Sequence, residues 1–196
     1  MGAKTMMKTL FRVGLFTTLV FLAGSVALAQ TRIHAVSGTV TSINPKIHMI
    51  DISTDDGSSG HFEFLKKTDP PVDFDKNVRA DAVDVDKFTN KGAHVILYFV
   101  GQGDVRTAVA VHDLGDGSFA ESSGSVVRIN RHDHLLTIKN SSGVEESFRI
   151  DPKTVADTPT GVLEGFKLDY SKGDQVRVTA AQANGGETAL LIAPAM

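Results

Sequence analysis

The sequence predicts an all-β chain in which one small five-stranded antiparallel barrel is written twice in tandem behind an N-terminal export signal. Three observations predict it. Ser37-Gly38-Thr39-Val40, running on to Ile43-Asn44, returns 86 positions later as Ser123-Gly124-Ser125-Val126, running on to Ile129-Asn130. Apolar and β-branched residues alternate in short runs bounded by Gly, Asn, Asp and Ser, whereas helical spacing is nearly absent. The first 29 residues have the basic, apolar and small-residue order of a secretory signal.

That signal comprises Lys4, Lys8 and Arg12, an apolar run from Val13 to Leu28, and Ala27-Leu28-Ala29 before Gln30. The run is short for a membrane span and is broken by Thr17, Thr18, Gly24 and Ser25, so cleavage after Ala29 is expected. No cysteine follows it to carry a lipid, so the released chain should be periplasmic or secreted, with no membrane insertion. Loss of three basic side chains moves the formal charge from −3 to −6, a poor match for nucleic acid or anionic lipid. Without cysteine there are neither disulfides nor thiolate metal sites, and apolar cores alone must hold the fold.

The first module is expected over residues 30–112, with strands near 35–43, 47–54, 61–65, 93–100 and 105–112. A small, polar linker over 113–122 leaves the orientation of the modules open. The second module, 123–196, has strands near 123–130, 134–140, 144–150, 175–182 and 187–193. The offset of 86 also pairs His48 with His134, Ile52 with Ile138, Phe62 with Phe148 and Lys67-Thr68 with Lys153-Thr154. After a five-residue deletion, Lys91-Gly92 and Val95 meet Lys172-Gly173 and Val176, and Thr107-Ala108 meets Thr188-Ala189. The period is too long for a solenoid unit and suits two domains that each close a core.

Short turns at Asn44-Pro45-Lys46, Asp55-Asp56-Gly57, Ser142-Gly143 and Asn184-Gly185-Gly186 imply antiparallel neighbours. In the first strand Val40 and Ile43 have opposite parity, as do Val126 and Ile129, so each strand needs a bulge or bend, and Gly38 and Gly124 mark it. His48, Ile50 and Ile52, and likewise His134, Leu136 and Ile138, should share the core side of the second strand. One core is expected from Val40, Ile43, Ile50, Ile52, Phe62 and Val95, the other from Val126, Ile129, Leu136, Ile138, Phe148 and Val176. Residues 66–92 and 151–174 are too long for hairpin turns and should cover one barrel mouth each, with a helical turn. Three strands, a covering segment and two more strands is the order of a five-stranded OB-like barrel.

The residues Gly124-Ser125-Val126 to Ile129, Leu136-Thr137-Ile138, Gly143, Phe148, Lys172-Gly173-Asp174-Gln175-Val176 and Ala189 to Ile192 resemble the marks of a bacterial family of secreted domains of unknown function. In the first module Ala93 stands where that pattern has Asp. The resemblance implies a small OB-like barrel in the cell envelope and no activity. A weaker resemblance, in layout, is to periplasmic OB-type copper and silver chaperones, which hold metal with methionines, a histidine and a tryptophan. Here tryptophan is absent and only Met49 and Met196 follow the signal, so that site does not carry over.

For chemistry of its own, the chain offers His132-Asp133-His134. On a strand the two imidazoles would project to one side about 6–7 Å apart, which suits Cu(II), Ni(II) or Zn(II). The alternative is a polar turn with His134 capping the barrel end and His132 in water, and His48, in the same place without a partner, supports it. Asp69, Asp73, Asp75, Asp81, Asp84 and Asp86 lack the ladder of a calcium loop and read as a solvated acidic segment. Gly57-Ser58-Ser59-Gly60-His61 is a hairpin turn rather than a nucleophile elbow, and no phosphate loop occurs. The expectation is therefore an exported non-catalytic two-barrel protein that binds an unknown small ligand or envelope protein. A periplasmic transition-metal binding protein is the alternative and a hydrolase a remote one. No cofactor is expected beyond Cu, Ni or Zn at His132 and His134.

Overall fold

The computed structural model describes residues 32–66, 72, 74–103, 105–183 and 186–195. The segment read as an export signal, the Lys67-Thr68 half of a repeat pair, Asp69, Asp73 and the expected Asn184-Gly185 turn lie outside them. Alternating apolar runs form β1 (Ile33–Asn44), β2 (Met49–Thr54), β3 (Ser59–Phe64), β5 (His94–Gln102) and β6 (Val105–Asp113). They pair in the order β3-β2-β1-β5-β6, and parallel contacts of Glu63 with Thr107 and Phe64 with Ala108 close the sheet on itself. The second copy repeats this with β7 (Phe119–Asn130), β8 (Leu135–Lys139), β9 (Glu145–Arg149), β12 (Gln175–Ala183) and β13 (Gly186–Pro194), closed by β9 against β13. The chain is all-β, two barrels in tandem.

The covering segments add strands that the sequence reading lacked. In the first, Asp75 caps a one-turn helix, α1 (Lys76–Ala80), accepting from the Asn77 and Val78 amides at 2.9 and 3.4 Å, and β4 (Val83–Asp84) follows on β6. In the second, β-branched residues flank a Pro159-Thr160 turn, so a hairpin forms, β10 (Val155–Thr158) and β11 (Gly161–Glu164), with β10 parallel to β13.

The parity problem is solved by a bulge in each first strand. Register shifts between Val40 and Ser42 and between Val126 and Arg128, returning Ile43 and Ile129 to the core side. The bends thus fall at Thr41 and Val127, not at the glycines. Gly38 and Gly124 instead permit a close crossing: a Cβ would lie 2.3 Å from the Ser53 carbonyl oxygen or 2.4 Å from that of Lys139. His48 and His134 also depart from expectation. Each ends a four-residue turn with φ of 55°, so neither lies on the strand that follows.

Val40, Ile50, Ile52, Phe62 and Val95 are buried in one barrel, and Val126, Leu136, Ile138, Phe148 and Val176 in the other. A third core lies between them. Ile33, Ala35, Ile96, Tyr98 and Ala110 on the outer wall of the first barrel pack with Val155, Val162, Leu191 and Ala193 of the second. The segment read as a linker is correspondingly short. Strand begins at Phe119, because residues 119–125 pair with β12, and Phe119 stacks on His94 at 4.2 Å.

Polar contacts border this shared core. Ser37 and Thr179 share a hydrogen bond of 2.5 Å, Thr179 donates to Asp55 at 3.1 Å, and Arg177 pairs with Asp56. Elsewhere Asp157, almost buried, accepts from Arg32 and from the Ala35 amide, each at 3.3 Å. Burial opposes ionisation of Asp55 and Asp56, yet both carboxyls are held below the usual range. His94, Ser37 and Thr179 outweigh burial at Asp55, and Thr54, Ser58 and Arg177 do so at Asp56.

A depressed carboxyl stabilises the folded state above its unfolded pKa, about 3.9, and loses that contribution as pH falls through the folded value. The melting temperature should therefore hold down to about pH 4 and decline below it. In Asp56→Asn that decline should be shallower. Identical acid limbs in melting curves recorded from pH 6 to pH 2 would count against this role of the seam.

Candidate functional site

The mouth of the second barrel is built by the turn from β7 to β8 and by a 3₁₀ turn, Gly165–Lys167, after β11. Asn130 shapes the first turn. Its side-chain oxygen accepts from the His132 and Asp133 amides, both at 3.1 Å, and its amide nitrogen donates to the Asp133 carboxylate at 2.5 Å. The turn ends at His134 in left-handed conformation, whose carbonyl accepts from the Ile150 amide at 2.8 Å. The imidazole stands edge-on to Phe166, ring centres 4.6 Å apart.

Phe166 is presented by the 3₁₀ turn and is 41% exposed. Glycine lets that turn sit hard against the barrel: a Cβ at position 165 would lie 2.6 Å from the Thr154 side chain and 2.8 Å from that of Ile150. Arg131 joins the two turns by donating to the Leu168 carbonyl at 3.1 Å. Between them is a cavity of about 170 Å³ with Ile129, Ile150 and Leu168 as apolar walls and Arg131, His134 and Phe166 at its rim.

The first barrel carries the same frame with the space filled. His48 also has φ of 55°, its carbonyl accepts from the Phe64 amide at 2.9 Å, and its ring lies edge-on to Phe64 at 5.3 Å. The turn Val85–Lys87 matches Gly165–Lys167, each closed by the amide of the following residue, Phe88 or Leu168. Position by position, Phe64 stands where the second barrel has Ile150, and Val85 where it has Gly165. Both Phe64 and Val85 are buried in the first core. The change from Phe64 to Ile150 thus accompanies the open second mouth, while Gly165 lets its turn approach the barrel.

Of the two histidines singled out in sequence, His134 touches the barrel end and His132 is exposed in the turn. The one-sided projection expected of a strand pair does not arise, because residues 131–134 are turn. Among the described residues no group of three or more His, Cys, Asp or Glu is placed to hold a metal ion. Two acids of the acidic segment, Asp75 and Asp84, are engaged in structure. Asp84 pairs with Arg79 and, at 2.5 Å, with Lys87, while Asp75 caps α1 and pairs with Lys167 of the second barrel at 3.1 Å.

No family model matches the chain, and neither does any curated protein. Solved structures that match part of its length include two of CusF. The crystal structure of Ag(I)CusF is 16% identical, covering 40% of this chain and 99% of its own, with a TM-score of 0.32. The structure of apo-CusF residues 6–88 from Escherichia coli is 15% identical, covering 43% of this chain and 95% of its own, with a TM-score of 0.33. Among the described residues no helix is long and apolar enough to cross a membrane.

Proposed function

We propose that this chain is an exported, non-catalytic binding protein that takes its ligand at the mouth of the second barrel, the equivalent mouth of the first barrel being filled. The observation that carries this reading is the difference between two copies of one frame. Phe64 fills the first mouth, whereas the smaller Ile150 accompanies a cavity of about 170 Å³ in the second, beneath a half-exposed aromatic on a turn that Gly165 lets sit against the barrel. A concave apolar site with a few convergent polar groups is the ordinary form of a small-ligand pocket.

The test is a titration of the chain from Gln30 onward with benzyl alcohol, followed by amide chemical shifts. Shifts should appear at Ile129, Ile150 and Leu168 and not at their first-barrel counterparts Ile43, Phe64 and Phe88. Ile150→Phe, which restores the first copy's residue, should abolish them with the remaining spectrum intact. No shifts, or equal shifts in both barrels, would sink the proposal. Cu(II) broadening centred on His132 and His134 without any probe binding in the pocket would favour the metal-binding reading instead.

A further inference from the structure

Resting on that reading, we infer that the second mouth selects a carboxylate borne on a single aromatic ring or a short branched aliphatic group. Size sets the apolar part. A cavity of about 170 Å³ is close to the apolar cavity of about 150 Å³ that accepts benzene, so one ring fills it.

Charge sets the polar part. Arg131 is the one charged side chain lining the cavity, and its hydrogen bond to the Leu168 carbonyl fixes the guanidinium at the rim while using only one of its five N–H donors. Among the described residues Arg131 forms no ion pair. Two nearby acids are directed elsewhere: Asp133 accepts from Asn130, and Glu164 accepts from Lys167 and Asn77. A preorganised fork in a protein with an acidic excess is suited to bidentate recognition of a carboxylate.

The repeat again supplies the contrast. Pro45 occupies the place of Arg131 in the first copy, and Asp86 the place of Phe166. At this mouth, space, a cation and the loss of an acid therefore arrive together in the second copy. The carboxylate could belong to a free small acid or to the C-terminal residue of a polypeptide, since both present the same group beside one apolar side chain.

Titrations with phenylacetate, benzyl alcohol and benzylamine, read from the shifts of Ile150 and Leu168, test the assignment. Phenylacetate should bind about tenfold more tightly than benzyl alcohol, the scale of one charge-assisted pair, and benzylamine more weakly than either. Arg131→Gln should bring phenylacetate down to the level at which the same variant binds benzyl alcohol. A short peptide ending in Phe, compared with its amidated form, separates the sources. Binding of the free acid alone identifies a polypeptide terminus, and binding of neither leaves the small acid as the ligand. Equal binding of phenylacetate and the alcohol, or preference for the amine, would overturn the ligand class while the pocket stands. Failure of every probe would overturn both.

Discussion

Leu191→Asp should lower the melting temperature by about 10 °C and split a single unfolding transition into two. Leu191 is 2% exposed in the core between the barrels, beside its strand neighbour Val155 and within the cluster containing Ile33, Ala35 and Tyr98. The Tyr98 hydroxyl, buried without a partner, could donate to the carboxylate, but no cation lies in the cluster to neutralise it, and an unpaired buried charge costs on the order of 4 kcal/mol. At roughly 2–4 °C per kcal/mol for a chain of this length, that is a large displacement. Each barrel keeps its own core, so the damage should uncouple the halves rather than dissolve them. Calorimetry checks this, and a variant that melts in one transition within a degree of wild type would contradict a shared core.

The second large effect is expected at the first-strand glycines. In Gly124→Val the new Cβ would lie 2.4 Å from the Lys139 carbonyl oxygen and 2.7 Å from its carbonyl carbon, and in Gly38→Val 2.3 Å from the Ser53 oxygen. The obstacle in each case is backbone of the paired strand, so no rotamer relieves it and the strands must separate. A cost of about 3 kcal/mol is expected, at the upper end for overpacking. Chemical denaturation should show an earlier midpoint with an unchanged slope, and an unaltered midpoint would mean that the crossing is looser than described.

Much of the barrel pair was legible because strand periodicity survives duplication. Val40 and Ile43 on opposite parities demanded a bulge, and one is present. The third core was not read, although its signal was there. Residues 95–100 run Val-Ile-Leu-Tyr-Phe-Val without alternation, as a strand buried on both faces does, while their counterparts include Arg177 and Thr179. Those two polar residues became the seam to Asp56 and to Asp55 and Ser37. The linker was overextended for a related reason. Ala120, Glu121 and Ser122 look like loop by composition, yet the backbone pairs them with β12 whatever their side chains.

The site was half legible. His134 could be placed at the barrel end, but the spacing of His132 and His134 says nothing about φ, and the left-handed turn removes the strand geometry a shared metal would use. The pocket is written as differences between copies, in Phe64 against Ile150 and Val85 against Gly165. An offset of 86 relates the first pair and 80 the second, whereas matching identical residues had suggested 86 and 81. That one-residue slip in the covering segment hid the comparison.

The shared core between the barrels is tested most directly by residual dipolar couplings on the chain from Gln30 onward. Amides of residues 33–113 and 119–194, fitted separately, should return one alignment tensor of the same magnitude and orientation in the frame of the structure. Two tensors of different magnitude would show barrels moving independently about residues 114–118, and would contradict the account.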